Sequence, residues 1–302
     1  MTAAAIPRVS VIVPVRDDAG RLQLCLAALS AQTVAPDAFE VVVVDNGSTR
    51  DDPAAVVRLF PFARLVFEGK PGASAARNGG LAAAGGGVLA FTDADCLPAP
   101  EWLERGLAAL KETNAALVAG RVEVFPREPG RPSALELFDM AHSFDQRLFV
   151  ERWHFGATAN LFVRRAAADA LGGFNEAIPY YGEDVDFGRR AGKAGFAIRY
   201  AADAVVRHPA RFEWRAFRDR LERTMRAAYG SAEPGLRRLL LDVWHGWPAW
   251  RDVIRAPSLS FATRPGDRLK LALVTAWVKG WRTFLRVELF WEQVRKPKGV
   301  TS

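Results

Sequence analysis

Of the 302 residues, 50% are hydrophobic and 25% charged, which is the balance of a folded globular chain and too apolar for a disordered one. The formal charge of +7 is unevenly spread: residues 207–302 hold 20 Lys/Arg against 9 Asp/Glu, leaving 21 against 25 for residues 1–206. Two cysteines, Cys25 and Cys96, exclude a disulfide framework and lack metal-ligand spacing.

The start, MTAAAIPRVSVIVPV, has no basic stretch leading into a long apolar one, so no export signal is expected and the body of the chain is expected in the cytoplasm. No uncharged apolar window reaches about 18 residues, so no spanning helix is expected either. Short β-branched or aromatic runs at 9–13, 40–44, 64–67 and 88–92 predict strands buried on both faces. Between them, 21–31, 53–60 and 74–84 have helical composition or an apolar stripe. The βαβαβαβ order predicts a mainly parallel α/β sheet covered by helices, with ligands beyond the carboxyl ends of its strands. The residues at those ends, 14–18, 45–48, 69–72 and 93–95, are polar or turn-forming and mark one edge as a cleft. Further along, the sequence predicts a helix at 101–111, a strand at 116–125, a loop at 126–132 and a helix at 133–150. A strand near 159–164, a short helix ending at Gly172-Gly173, a helix at 183–194, and strands at 197–200 and 204–207 follow.

Thr92-Asp93-Ala94-Asp95 sits where a hydrophobic run ends. In an extended segment residues two apart face the same way, so both carboxylates could share a divalent cation and leave positions open for phosphate oxygens. The second acidic cluster, Glu183-Asp184-Val185-Asp186, opens a helix behind Tyr180, Tyr181 and Gly182. Acids are favourable at a helix N-terminus, which accounts for Asp186. Three acids in four positions leave Glu183 or Asp184 as a candidate general base, and spacing alone does not choose between them. As a neutral imidazole, His208 could complete a site made of two carboxylates. Arg77 lies on the helix after the turn at 69–72, whose N-terminal amides suit a diphosphate.

Seven ordered motifs carry a resemblance. They are VSVIVPVRDD (9–18), VVVVDNGS (41–48), GASAARNGG (72–80), FTDADC (91–96), ANLFVRR (159–165), GGF (172–174) and GEDVDFGRR (182–190). Over about residues 8–210 the chain resembles a family 2 glycosyltransferase of GT-A fold. The resemblance implies a Rossmann-like sheet in a catalytic domain spanning 1–211, with a nucleotide-binding half at about 8–96 and an acceptor-side half at about 97–211. A helical, basic, aromatic-rich extension at 212–302 follows. It implies a nucleoside-diphosphate sugar donor, a carbohydrate or lipid-linked acceptor, and Mn²⁺ or Mg²⁺. It places Pro14, Val15 and Asp45 at the nucleoside, Arg77, Asp93 and Ala94 at the ribose or diphosphate, and Asp95, Asp93 and His208 at the metal. Asp184 is the implied base with Glu183 beside it, and Trp153 to Gly156 shape the sugar or acceptor site. The implied reaction is a single inverting displacement. Uridine, guanosine and thymidine donors all stay open, as does the oligomeric state.

Seven of nine tryptophans lie beyond Phe212. On a helical projection of 269–286, Thr275, Lys279, Arg282 and Arg286 fall on one side, with Val274, Trp277, Val278, Trp281, Phe284 and Leu285 broadly opposite. Such a helix suits either an anionic membrane interface or packing against protein. No nucleic-acid module is recognised, so nucleic acid is not an expected partner. A sugar-1-phosphate nucleotidyltransferase would also use paired acids, but it would release pyrophosphate. A nicotinamide-dependent oxidoreductase needs phosphate-loop glycines that are missing after Val13. A noncatalytic nucleotide-sugar binder need not keep both acidic centres.

Overall fold

The computed structural model describes residues 8–178, 182–230, 262 and 264–295. Tyr180, Tyr181, Trp244, Trp247 and Trp250 lie outside the described residues. The chain divides into two compact units, residues 1–124 with 144–209, and 125–143 with 210–302.

The first unit is built on an eight-stranded sheet of order β3-β2-β1-β4-β7-β6-β8-β5. Its strands are β1 (Val9–Val15), β2 (Phe39–Asp45), β3 (Ala63–Phe67), β4 (Val88–Phe91), β5 (Leu97–Pro98), β6 (Leu117–Phe125), β7 (Leu161–Arg164) and β8 (Ile198–Pro209). β3, β2, β1 and β4 pair in parallel, as the βα alternation of the first hundred residues predicts. β7 then runs antiparallel to both β4 and β6, which makes the sheet mixed.

Alternation in the strands builds a core on each face. Val11, Val13, Val41 and Val43 point to one side, where α1 (Ala19–Ser30), α2 (Pro53–Val57) and α4 (Trp102–Glu112) cover them. Ile12, Val42, Val44, Leu89 and Phe91 point to the other, under α3 (Ala73–Ala83), α7 (Arg165–Leu171) and α8 (Glu183–Lys193). Helix α3 lies so close to β1 that a Cβ on Gly80 would come within 2.4 Å of the Ile12 side chain, which explains a glycine in mid-helix.

Three sequence motifs turn out to be clips between elements. Asn160 is fully buried; its Oδ1 accepts from Trp102 Nε1 at 2.8 Å and its Nδ2 donates to the carbonyls of Arg121 and Ala204. Asn78 of α3 exchanges hydrogen bonds with the backbone of Phe174, tying GASAARNGG to GGF. Arg165 donates to the carbonyls of Leu81, Ala84 and Gly86, where α3 runs into β4.

Two expectations differ from the structure. The single helix expected at 133–150 is two, α5 (Ala134–His142) and α6 (Gln146–Trp153). Phe144 between them adopts φ +55°, the Ser143 hydroxyl bonds back to Asp139, and Asp145 caps α6 through the Leu148 N–H. The two strands expected at 197–200 and 204–207 are one continuous β8, which lies between β6 and β5 in the sheet.

In the second unit α5 begins with a capping box: Ser133 Oγ accepts from the Glu136 N–H, while Glu136 accepts from Ser133 N and Arg127 N. Arg211 pairs with buried Asp139 at 2.9 Å. Leu135, Leu137 and Phe138 of α5 form a core with Phe217 and Leu221 of α9 (Trp214–Gly230) and with Leu271, Val274, Val278 and Leu285 of α10 (Pro265–Arg295). No helix among the described residues is long and apolar enough to cross a membrane.

Candidate active site

The carboxyl ends of β1, β2 and β4 meet at one edge of the first unit. Val15 and Asp45 are register partners at the ends of β1 and β2, with Pro14 half-buried beside them. The Asp45 carboxylate accepts from the Ser48 N–H at 2.9 Å and so closes its own turn. Asn46 holds the next loop in place: its Nδ2 donates to the carbonyls of Glu68 and Lys70, and its Oδ1 accepts from the Gly72 N–H at the start of α3. Asp17, at φ +53°, accepts from the N–H groups of Thr49 and Arg50, and these bonds hold its carboxyl below the usual range. Asn46 and Asp17 were legible only as turn residues, because their partners sit on other loops.

The Asp93–Asp95 segment is not extended, which corrects the expectation that alternation along a strand aligns its carboxylates. The Cys96 N–H donates to the Asp93 carbonyl at 3.0 Å, closing a turn just after β4. The turn sends the two acids to different partners. Asp93 pairs with Arg77 Nη2 at 3.2 Å. Asp95 lies 3.5 Å from His208 Nε2 and 3.7 Å from Arg21 Nη1. Ala94 between them is buried.

Arg77 links Asp93 to the second acidic cluster. Its guanidinium is buried, with Nη1 on Glu183 at 2.8 Å and Nη2 on Asp93. Burial opposes its charge, but Asp93, Glu183 and Asp184 outweigh that and keep it protonated. Its Nε and the nearby Ser74 hydroxyl are both buried without a hydrogen-bond partner. Both belong to α3, whose N-terminus offers further unpaired N–H groups.

Helix α8 opens at Gly182, φ +104°, with Glu183, Asp184 and Asp186 in its first turn. The three acids separate by partner. Asp186 pairs with Arg190 at 2.7 Å, one turn along, while Arg190 also holds the carbonyls of Leu171 and Gly173. Glu183 is taken by Arg77. Asp184 accepts the N–H of Val185, and burial together with the charge of Glu183 pushes its carboxyl up to about 6.

Asp95, Cys96 and His208 bring ligand atoms within 4.8 Å of one another, a group that does not include Asp93. The Cys96 thiol is pushed well up by burial and by Asp93 and Asp95, so it stays protonated. His208 is buried, tilted against Phe144 at 4.7 Å, and its Nδ1 lies 2.7 Å from the Pro209 carbonyl. A carbonyl only accepts, so Nδ1 carries the proton; in the neutral ring the Nε2 lone pair then faces the Asp95 carboxylate. Two acceptors turned toward each other suit a divalent cation between them; the carboxylate suits Mn²⁺ or Mg²⁺, and the imidazole nitrogen favours a transition metal such as Mn²⁺ over Mg²⁺. Phe149, Trp153 and Phe155 form a near-parallel stack, with Trp153 half-exposed.

The Glycosyl transferase family 2 profile matches residues 10–172. Glycosyltransferase AglE of Haloferax volcanii is 37% identical over 214 residues, which cover 69% of this chain and 69% of AglE. The pre-mycofactocin glycosyltransferase of Mycobacterium tuberculosis is 32% identical over 68% of this chain, but the match spans only 44% of that protein. Among solved structures, the mannosyltransferase PcManGT of Pyrobaculum calidifontis, in complex with GDP-Man and Mn²⁺, superposes with a TM-score of 0.59. That superposition covers 97% of this chain and 76% of PcManGT at 19% identity, a likeness of fold.

Proposed function

The chain belongs to glycosyl transferase family 2, and on that premise we propose that it moves a sugar from a nucleoside-diphosphate donor to an acceptor hydroxyl, inverting the anomeric carbon. The observation that carries this reading is Arg77, which holds Asp93 with one nitrogen and Glu183 with another beside the high-pKa carboxyl of Asp184.

Pro14, Val15 and Asp45 line the nucleoside end. The α3 N-terminus, with the unpartnered Ser74 hydroxyl and Arg77 Nε, receives the diphosphate. Asp95 and His208 are the residues that would hold a divalent ion, with Asp93 kept in place by Arg77. When bound, the ion supplies positive charge against the departing diphosphate. PcManGT, solved with GDP-Man and Mn²⁺, supports pairing a nucleotide sugar with a metal here.

Asp184 takes the proton from the acceptor hydroxyl while its oxygen bonds to the anomeric carbon and the bond to the diphosphate oxygen breaks. Glu183 is a poorer base because its carboxylate is committed to Arg77; it positions that guanidinium instead. The stack of Phe149, Trp153 and Phe155 offers a flat apolar face to a carbohydrate acceptor in polysaccharide or glycoconjugate synthesis.

Calorimetric titration of the full chain with a panel of nucleoside diphosphates, with Mn²⁺, with Mg²⁺ and with EDTA, tests the donor site. One diphosphate is expected to bind in a metal-dependent way. Failure of every member to bind folded protein overturns the reading.

A further inference from the structure

Helix α10, Pro265–Arg295, has 31 residues and is therefore about 46 Å long. Its side chains sort into three faces at about 100° per residue. One face, carrying Leu271, Val274, Val278 and Leu285, is buried in the second unit's core. A second, carrying Leu269, Leu273, Trp277, Phe284 and Trp291, is 44–64% exposed. Spacings of four and seven residues keep these five in one stripe. At about 100° per residue, Arg268, Lys279 and Arg286 lie between one border of the stripe and the buried face, with no acid among the described residues on that side, while Arg282 sits next to the buried face, where desolvation lowers its pKa. Glu288 and Glu292 fall on the opposite side, where Glu292 pairs with Arg226.

The exposed surface continues onto α9. Trp214 meets Trp277 edge-on at 4.9 Å, and the pair flanks a groove of about 550 Å³ lined also by Ala134, Leu273 and Val274, with Lys270 at its rim. Five large apolar side chains in one continuous row need a partner. Charge and chemistry select among the candidates. A second copy laid antiparallel would bring the basic border against itself, a like-charge arrangement that costs free energy. An anionic lipid surface matches the basic border, and tryptophans suit the level where headgroups meet acyl chains.

We propose that the exposed stripe of α10, with Trp214 of α9, docks the second unit in the interface of an anionic bilayer. The helix lies in the membrane plane and does not cross, consistent with its charge and hydropathy. This inference stands independently of the sugar-transfer reading, because none of its residues belongs to the Arg77–Asp184 site.

Vesicle flotation of the full chain tests it. Protein is expected to float with phosphatidylglycerol-containing vesicles, to stay behind with pure phosphatidylcholine vesicles, and to be released as salt is raised. The exposed-site double variant Trp277→Glu/Trp291→Glu should bind anionic vesicles at least about tenfold more weakly at unchanged melting temperature. As a second variant that leaves the apolar row intact, Arg268→Glu/Lys279→Glu should weaken binding and flatten its salt dependence. Wild-type protein that ignores anionic vesicles, or a folded Trp277→Glu/Trp291→Glu variant that floats like wild type, overturns the proposal. A lipid-free dimer that the same tryptophan variant dissociates also overturns it, by assigning the stripe to a second copy.

Discussion

Replacing Asp184 by Asn separates the proposed proton-transfer role of this residue from its structural cost. Burial and Glu183 move its carboxyl from 3.8 up to about 6. At pH 7 about nine-tenths of the folded chains carry the ionised base, and at pH 5 about one-tenth do. The kcat/KM of the native enzyme should thus fall about tenfold per pH unit on the acid side of 6. Stability moves the other way. Between pH 3.8 and about 6 the folded chain binds more protons than the unfolded one, so stability declines as pH rises through that window and stays lower above it. The full shift corresponds to about 3 kcal/mol, which partial solvent access reduces to about 1–2 kcal/mol. Asparagine has no charge to desolvate and keeps an oxygen for the Val185 N–H. Asp184→Asn is therefore expected to lose about 10²–10⁴-fold in kcat, to bind donor normally, and to gain about 1–2 kcal/mol at pH 8. That gain should shrink toward zero near pH 4. Initial rates and urea denaturation at both pH values measure these effects. A kcat close to wild type removes Asp184 as the base, and a variant no more stable at pH 8 refutes the burial argument.

Arg77→Met should cost about 3 kcal/mol, since it leaves the Glu183 carboxylate without its cation, and should abolish diphosphate binding in calorimetry. Asp95→Ala and His208→Ala should each weaken Mn²⁺ binding at least about tenfold by paramagnetic resonance, while Asp186→Ala, whose partner is Arg190, should leave it unchanged. Asn160→Ala removes hydrogen bonds to Trp102, Arg121 and Ala204 and should lower stability by about 2–4 kcal/mol in denaturant titration, with nucleoside diphosphate affinity of the folded fraction unaltered.

The parallel half of the sheet was legible because strands buried on both faces read as unbroken β-branched runs, Val41 to Val44 above all. The polar residues at the ends of those runs were legible for the same reason: chain leaving a buried strand at the sheet edge meets water there. Local chemistry also revealed Asp186 as a helix-end acid. What stayed hidden depends on neighbours distant in sequence. Arg77 meets Glu183 across 106 residues, and that contact, not spacing, separates Glu183 from Asp184. Asp93 and Asp95 looked like strand neighbours sharing a cation, yet a turn at Cys96 gives each its own partner. The break at Phe144 and the burial that raises Asp184 likewise arise in tertiary structure. Periodicity and turn chemistry are local properties, so the residues write them directly. A carboxylate's proton affinity depends on the charges and solvent that folding places around it, and only the tertiary structure decides those.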